Sequence, residues 1–537
     1  MADHDALASA EHSSPIATDH SSRNTGHSPL TTPWLAAVAV VPILATVYQT
    51  LVLTDVLGDV IRKGIDAEHY SMIWTNVCWG VSVLYGVFGG IWAMARYGSR
   101  HTLLVGLAWF AAGNLLCGAA TDVTSLAAAK LVEGIGKGMV IVICRALLYR
   151  QFDRTVIVAI GFYGVIAYAT RPTTPLLTAL LNDALSWRWV FWVNVPLGLL
   201  AFPLVLRFVK PDRPLKPLPL RIDWIGLTLF VAWVVSLVFV FGWYRKWGGW
   251  TSDAFAATAV LALLLPVAVF AWVGAGLAAS EHIRRMFRVR VYVLAMCVRT
   301  LMLLQLLAVL TLLANYCTGL RDYPRTTAGW VLAPATLTMA ISTFLTTWFH
   351  RRSLRHVRLL VGVVGCAVCL WWMSSVDNFT SKERVALMVA CWGLFVGLFP
   401  PVFLQDEVEA LDRRDFLYGG AVAVVFLVVP MVVVPTMTST IVSAWTDRAA
   451  DAERMNLREN RPEVQESSAR VADYYRQRGV SGPELSQKTS TALGGFVKIE
   501  AVAHGIQSGL RFLSLVVGGV GLLVSALLAG SGTAKPA

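Results

Sequence analysis

Apolar runs of about 18–25 residues recur from Trp34 almost to the C-terminus, each long enough to cross the hydrocarbon core of a bilayer as a helix. Because backbone polar groups find no water in lipid, such continuous runs have to close their hydrogen bonds within themselves, as helices do. We place spans near 34–57, 72–94, 101–120, 124–148, 156–181, 187–208, 222–243, 253–277, 290–315, 328–349, 357–375, 386–405, 417–445 and 507–530. Composition agrees: 56% of the 537 residues are hydrophobic and only 15% are charged, too few to cover soluble domains of this size. The expected class is an all-α integral membrane protein with fourteen transmembrane helices.

The net charge of +12 is explained by loops rather than by a nucleic-acid partner. With the N-terminus placed in the cytoplasm, the inner loops hold Arg96 and Arg100, Arg150 and Arg154, and Lys210, Arg213, Lys216 and Arg221. They continue with Arg284, Arg285, Arg288 and Arg290, then Arg351, Arg352, Arg355 and Arg358, then Arg413 and Arg414. The short outer loops hold fewer: Arg62, Lys63, Arg245, Lys246, Arg321, Arg325, Lys382 and Arg384. This bias predicts both termini inside.

The expected organisation is a disordered cytoplasmic tail (1–33), a six-helix bundle (34–208), a Pro-rich linker (209–221) and two inserted helices (222–277). A second six-helix bundle (290–530) and a short cytoplasmic tail (531–537) follow. The second bundle contains one long outer segment, 446–506, in which Glu463 to Gln477 reads as a helix ended by Gly479 and Pro483. A 6+2+6 plan points to two similar bundles around a cavity, as in secondary transporters. The eight cysteines lie mostly in apolar runs, Cys366 and Cys369 among them, and read as core residues rather than as disulfide, redox or metal sites. No metal or cofactor site is expected, and no H-E-x-x-H, phosphate-loop or G-x-S-x-G pattern suggests an enzyme.

Charges inside spans are the informative residues, since each costs about 2.5–3.5 kcal/mol at a helix centre. The fourth span carries Lys130, Glu133, Lys137 and Arg145 close to one helical face. Arg171 lies in the fifth span, Arg299 in the ninth and Asp55 toward the outer end of the first. Glu133 can pair with either neighbouring lysine, and full pairing with both is not expected. Basic groups outnumber acidic ones, so a cavity lined by them would attract anions. The alternative is that they form closed pairs that fix helix packing. Gly86 and Gly90, Gly134 and Gly138, and Gly393 and Gly397 are spaced for close helix approach. Pro175, Pro196, Pro334, Pro400 and Pro401 mark expected kinks.

The sixth span opens Ser186-Trp187-Arg188-Trp189-Val190-Phe191-Trp192-Val193-Asn194-Val195-Pro196-Leu197-Gly198. This resembles the S-W-R-W-x-F-x-x-N-x-P-x-G signature of the fourteen-helix drug:proton antiporter branch of the major facilitator superfamily. The span count, inserted helices and long outer loop extend the resemblance over roughly 34–530. Other motifs of the branch are eroded. The loop motif G-x-L-A-D-R-x-G-R-R keeps Arg96, Gly98 and Arg100 but has Ile91 and Ala95 at its Gly and Asp positions. The fourth-span motif R-x-x-Q-G-x-G-x-G reads Lys130 to Gly138, with Lys130 replacing the Arg associated with proton coupling and Glu133 replacing the Gln. Of the fifth-span motif G-P-x-x-G-G only Pro175 remains, and the first-span acidic position is Thr50.

The resemblance implies the major facilitator fold and proton-driven export of amphipathic small molecules by alternating access, in a bacterial inner (cytoplasmic) membrane. In the leading reading Asp55, Glu133 and Lys130 are the proton-coupling candidates. Lys137 and Arg171 would bind an anionic group of the substrate, with Arg299, Gln305 and Asn315 contributing from the second bundle. Arg96, Gly98, Arg100, Gly134, Gly138, Pro175, Trp187, Arg188, Trp189, Asn194 and Pro196 carry the conformational motifs. The lipid bilayer and a periplasmic adaptor (membrane fusion) protein docking on 446–506 are the implied partners, and no nucleic acid is. Two alternatives stay open: a cationic or neutral multidrug antiporter, and a non-transporting membrane receptor or scaffold.

Overall fold

A computed structural model describes residues 40–41, 43–48, 53–151, 156–169, 171–211, 222–275, 281–349, 354–411, 415–458, 462–478 and 480–530. The expected tails 1–33 and 531–537, most of the linker, Thr50 and the side chain of Asp55 lie outside the described residues. Every regular element among the described residues is helical. In chain order they are α1 (Leu53–Gly64), α2 (Met72–Tyr97), α3 (Ser99–Ala119), α4 (Val123–Gln151), α5 (Val156–Gly164), α6 (Thr174–Ala184), α7 (Trp187–Trp192) and α8 (Asn194–Phe208). Next come α9 (Trp224–Gly242), α10 (Asp253–Gly274), α11 (Glu281–Arg288), α12 (Arg290–Asn315), α13 (Arg325–Leu332) and α14 (Pro334–Trp348). The rest are α15 (Arg355–Met373), α16 (Lys382–Val396), α17 (Phe399–Ala410), α18 (Phe416–Arg458), α19 (Pro462–Arg476) and α20 (Pro483–Gly530).

Eleven of these helical segments are long and apolar enough to cross a membrane: α2, α3, α7–α8, α9, α10, α12, α13–α14, α15, α16–α17, and parts of α18 and α20. The other expected spans have visible reasons for differing. The first includes undescribed residues. The fourth is α4, 29 residues long, with charges along it. The fifth is broken, because α5 passes into a π-helical turn (Val165–Ala169) and a 3-10 turn (Arg171–Thr173) before α6 begins. Pro175, Pro196, Pro334, Pro400 and Pro401 sit in the first turns of α6, α8, α14 and α17, where a missing N–H leaves no intrahelical bond unmade.

Helix α4 is the axis of the first half. A Cβ at Gly134 would collide with Ser82 of α2, and one at Gly138 with the Val83 carbonyl. On the other side Gly136 meets Phe110 of α3, and Gly113 of α3 meets the Glu133 backbone. Only glycine permits backbones this close on both faces. The second half repeats the device, with Gly393 of α16 and Gly397 just past its end against Ala335 and Met339 of α14. Helix α9 lies against α2 and α18: Thr440 Oγ1 of α18 donates to the Phe241 carbonyl at 2.7 Å, and just past the end of α9 Trp243 Nε1 donates to the carbonyl of Tyr70, which precedes α2, at 3.2 Å. Much of the segment 446–506 is helical, since α18 continues to Arg458 and α20 begins at Pro483. Between them, α19 falls where the sequence pattern placed a helix.

Candidate transport site

A cavity of about 530 Å³ lies between the two halves. The first half supplies Asp59 and Arg62 of α1, Met72, Ile73 and Asn76 of α2, and Pro175 of α6. The second supplies Leu307, Leu310, Thr311 and Asn315 of α12, Arg325, Ala328 and Leu332 of α13, and Pro435, Thr436, Ser439 and Ser443 of α18. Exposed Asp59 and Arg245 stand at its mouth, where Arg245 pairs with Asp447 and Arg62 Nε lies 3.7 Å from Asp59. The walls mix aliphatic side chains with hydroxyl and amide groups and with Asp59, Arg62, Arg245 and Arg325, and the volume suits a drug-sized amphiphile. One side wall is a tight seam between the halves: a Cβ at Gly329 of α13 would come within 2.5 Å of the Leu176 Cα in α6.

The opposite end is closed by three buried charges. Glu407 of α17 accepts from Arg145 Nη2 through Oε1 and from Arg299 Nη2 through Oε2. Arg145 belongs to α4 of the first half, so this pair joins the halves. Its Nη1 donates to the Gly420 carbonyl at 2.8 Å, and Arg299 Nη1 donates to the Ala423 carbonyl at 2.7 Å, both in α18. Aromatic faces complete the packing: Arg145 lies 5.4 Å from the Tyr149 and Tyr163 ring centres, and Arg299 lies 4.8 Å from that of Phe403. One carboxylate thus serves two guanidinium groups in a dry setting, where removing a partner would be costly.

A second charged group lies wholly inside the first half. Glu133 takes Lys130 Nζ at 2.8 Å on Oε2 and has Lys137 Nζ 2.7 Å from Oε1, with all three side chains buried. Both lysines are accommodated because they stand one turn either side of Glu133 and each oxygen faces one of them. Lys130 rests over the Phe191 ring and Lys137 near that of Trp79, which seals the group between α2, α4 and α7.

Arg171 is different. It is completely buried, its Nε donates to the Ala167 carbonyl at 2.9 Å, and Nη1 and Nη2 have no hydrogen-bond partner among the described residues. The surrounding side chains are aromatic: Tyr168, whose ring centre is 5.7 Å away, with Tyr48 and Tyr163, which share a 2.7 Å hydrogen bond.

Of the residues singled out from the sequence, the cavity brings together Asn315 and Pro175. Arg299 belongs to the closed-end triad, Lys130, Glu133 and Lys137 to the internal group, and Gln305 is buried in α12 away from the cavity lining. Asp55 is placed in α1 by its backbone. The signature at 186–198 ties α7 and α8 to α3: Asn194 Nδ2 donates to Asn114 Oδ1 at 3.1 Å, and Arg188 Nη2 to the Ala120 carbonyl at 3.3 Å. Trp187 covers Gly64 at the end of α1, and Trp189 lies exposed against Trp192. At the turn between α2 and α3, Gly98 adopts φ +84, exposed Arg96 lies near the Trp92 and Tyr97 rings, and Arg100 donates to the Leu206 carbonyl at 3.0 Å. Sequence reading missed Glu407. It follows Gln405 and Asp406 at the end of an apolar run, where polar residues read as the start of a loop. The surplus of intramembrane cations was the available signal that another carboxylate belonged inside.

The Major Facilitator Superfamily model matches residues 34–435. The chain is similar to multidrug resistance protein 3 of Bacillus subtilis, 24% identical over 375 residues, 68% of this chain and 71% of that one. It is 26% identical over 367 residues to an uncharacterized MFS-type transporter of Mycobacterium tuberculosis, covering 66% of this chain and about half (51%) of that one. It is also 26% identical over 350 residues to multidrug resistance protein Stp of the same organism, covering 64% of this chain and 63% of that one. The crystal structure of an auto-inhibited POT family peptide transporter superposes with a TM-score of 0.54 at 13% identity, covering 94% of this chain and 99% of that one, a likeness of fold alone.

Proposed function

The chain belongs to the Major Facilitator Superfamily, and from that premise we propose that it is a secondary active exporter of amphipathic small molecules, driven by protons and working by alternating access. The observation that carries this reading is the cavity itself: built from both halves, open at one end, and shut at the other by an ion pair between the halves. Rocking the halves about this centre exchanges the open and closed ends. Relatives that bear multidrug names support efflux of organic molecules.

In this reading the first span, α4 and the broken α5–α6 span join the eleven apolar segments to make fourteen in a 6+2+6 plan. Both termini face the cytoplasm of a bacterial inner membrane, and the cavity faces outward. Asp55 and Glu133 carry protons, with Lys130 and Lys137 as partners that hold Glu133 until it is protonated. Asn315 contacts substrate, while Arg299 and Gln305 act from below the cavity. A periplasmic adaptor would dock on α19 and the adjoining ends of α18 and α20. A second reading, export of cationic or neutral drugs, draws on the closed pairing of both lysines with Glu133.

The test is proton movement in proteoliposomes carrying a pH gradient, on adding anionic, neutral and cationic amphiphiles in turn. Export coupled to protons gives a signal with at least one class that Glu133→Gln diminishes. Silence with all three, in protein that still binds an amphiphile, would overturn the exporter reading and favour a receptor or scaffold.

A further inference from the structure

Below the cavity the fifth span loses its regular helix for about two turns, between Val165 and Thr173. Arg171 sits in this break, one turn deeper than the lining residue Pro175, or about 6 Å at helical rise. Its guanidinium is sealed from solvent, yet Nη1 and Nη2 are unpartnered among the described residues. Two neighbours share that condition: the Tyr168 and Thr174 hydroxyls are buried and make no hydrogen bond among the described residues. Thr174 also begins α6, an eleven-residue helix whose positive dipole end lies next to Arg171.

A native fold rarely leaves so many donors unused in one place. The other buried cations of the membrane region have acceptors: Lys130 and Lys137 have Glu133, and Arg145 and Arg299 have Glu407. Among the described residues Arg171 has only the Ala167 carbonyl and aromatic rings. What these residues do not supply is an acceptor of negative charge with more than one oxygen, to match the planar fork of the guanidinium.

We infer that Arg171, with the Tyr168 and Thr174 hydroxyls and the start of α6, is an occluded subsite for the oxyanion of a transported amphiphile, a carboxylate or sulfonate. The inference rests on the exporter reading, and it names the substrate class. The apolar body occupies the cavity beside Leu307, Leu310 and Leu332, while the anionic head passes the first turn of α6 at Pro175 to reach Arg171. Entry therefore requires α6 and α13 to part, and both belong to spans that are already broken, at 165–173 and at Ala333–Pro334. Closure of this turn behind the head would hold the substrate as the halves rock.

Binding of dansylglycine, a carboxylate, and of dansylglycinamide, its uncharged counterpart, to the full chain in nanodiscs tests the subsite. The wild type is expected to bind the carboxylate at least tenfold more tightly than the amide. R171Q abolishes that preference, and R171K retains part of it. A thermal melt of R171Q like that of the wild type shows that the variant is folded. Equal affinity for the two probes in the wild type, no binding of the carboxylate, or a preference that survives in R171Q would each overturn the subsite. Flux of both probes in proteoliposomes separates the two readings. Flux without a charge preference leaves the exporter and removes the subsite. A charge preference that R171Q abolishes, in a protein that moves neither probe, leaves the subsite and removes the exporter.

Discussion

Replacing Glu407 by glutamine removes one charge from a buried set of three and leaves Arg145 and Arg299 without a counter-ion. Breaking a buried pair by deleting one partner costs about 3–5 kcal/mol. Not all of that bears on conformation. Arg299 and Glu407 belong to the same half, whereas Arg145 and Glu407 come from opposite halves; in the alternating-access reading the first pair stays together whichever end is open and the second meets only when this end is shut. Assigning half the cost to the contact between halves gives a bias of about 2 kcal/mol against closure, or roughly 30-fold in population. Once this end opens, water can solvate the stranded Arg145. Hydrogen–deuterium exchange in nanodiscs reads the shift. In Glu407→Gln, uptake should rise at residues 403–411 and 416–423 and fall around the cavity mouth at 64–72 and 316–325, because one end shuts as the other opens. Arg145→Gln should produce the same pattern, and the double variant should add little to either single change, as expected for residues that act as a pair. Uptake that is unchanged, or that rises at both ends together, would refute the view that this ion pair sets which end is closed.

Three further outcomes follow from packing and pairing. Gly138→Leu drives a side chain into the Val83 carbonyl and should lower the unfolding midpoint by the equivalent of about 1–3 kcal/mol, whereas Gly89→Leu, with no atom near the added Cβ, should leave it nearly unchanged in a thermal melt. Asn194→Ala leaves the Asn114 Oδ1 without its donor and should cost about 1–3 kcal/mol, with Asn194→Asp no better because it cannot donate. In the turn before α16, the Asp377 carboxylate accepts from Thr380 Oγ1 at 2.6 Å and from the Phe379 N–H at 3.0 Å, which hold it below the usual carboxylate range. Its lowered folded value means its stabilisation is present above the unfolded pKa and lost as pH falls through the folded one. The thermal midpoints of wild type and Asp377→Asn should therefore differ at neutral pH and converge in acid.

Much of the fold could be read from sequence because lipid imposes a simple rule: a run of apolar residues long enough to cross must be a helix. Where an apolar run was long and free of charge in its interior, as in α9 and α10, a helix stands at the expected place. The polar segment after α18 was less legible, because low hydropathy marks the end of lipid contact, not the end of a helix. Nothing in Trp445 to Arg458 breaks the backbone pattern, and α18 simply continues into water. The break in the fifth span was only hinted at by Pro172 and Pro175, since a π-helical turn has no composition of its own. Within the site, the charges of α4 were conspicuous, but their partners were not. Glu133 and its lysines are neighbours along one helix, so their meeting follows from helical spacing. Glu407 lies 262 positions from Arg145, and no local pattern connects them.

That difference in range also separates what the two charged groups can do. The Lys130–Glu133–Lys137 group is carried on one helix and moves as a rigid part of one half, so its geometry is the same whichever end is open. A group of this kind can respond to a proton, but by itself it does not sense the other half. The Arg145–Glu407 pair is the reverse: it joins the two halves, and under alternating access it would break when this end opens. Coupling requires an element whose two states differ in their contacts, together with a ligand that prefers one of them. Arg171 stands between the two, in the broken span that faces α13 of the second half. An anion drawn down to it would sit where the halves touch, and could bias the same equilibrium that Glu407 sets from the closed end. The Glu407→Gln and R171Q variants therefore probe one equilibrium from its two sides. If both readings hold, Glu407→Gln should also weaken dansylglycine binding to the cavity, because it depopulates the state in which the cavity is open.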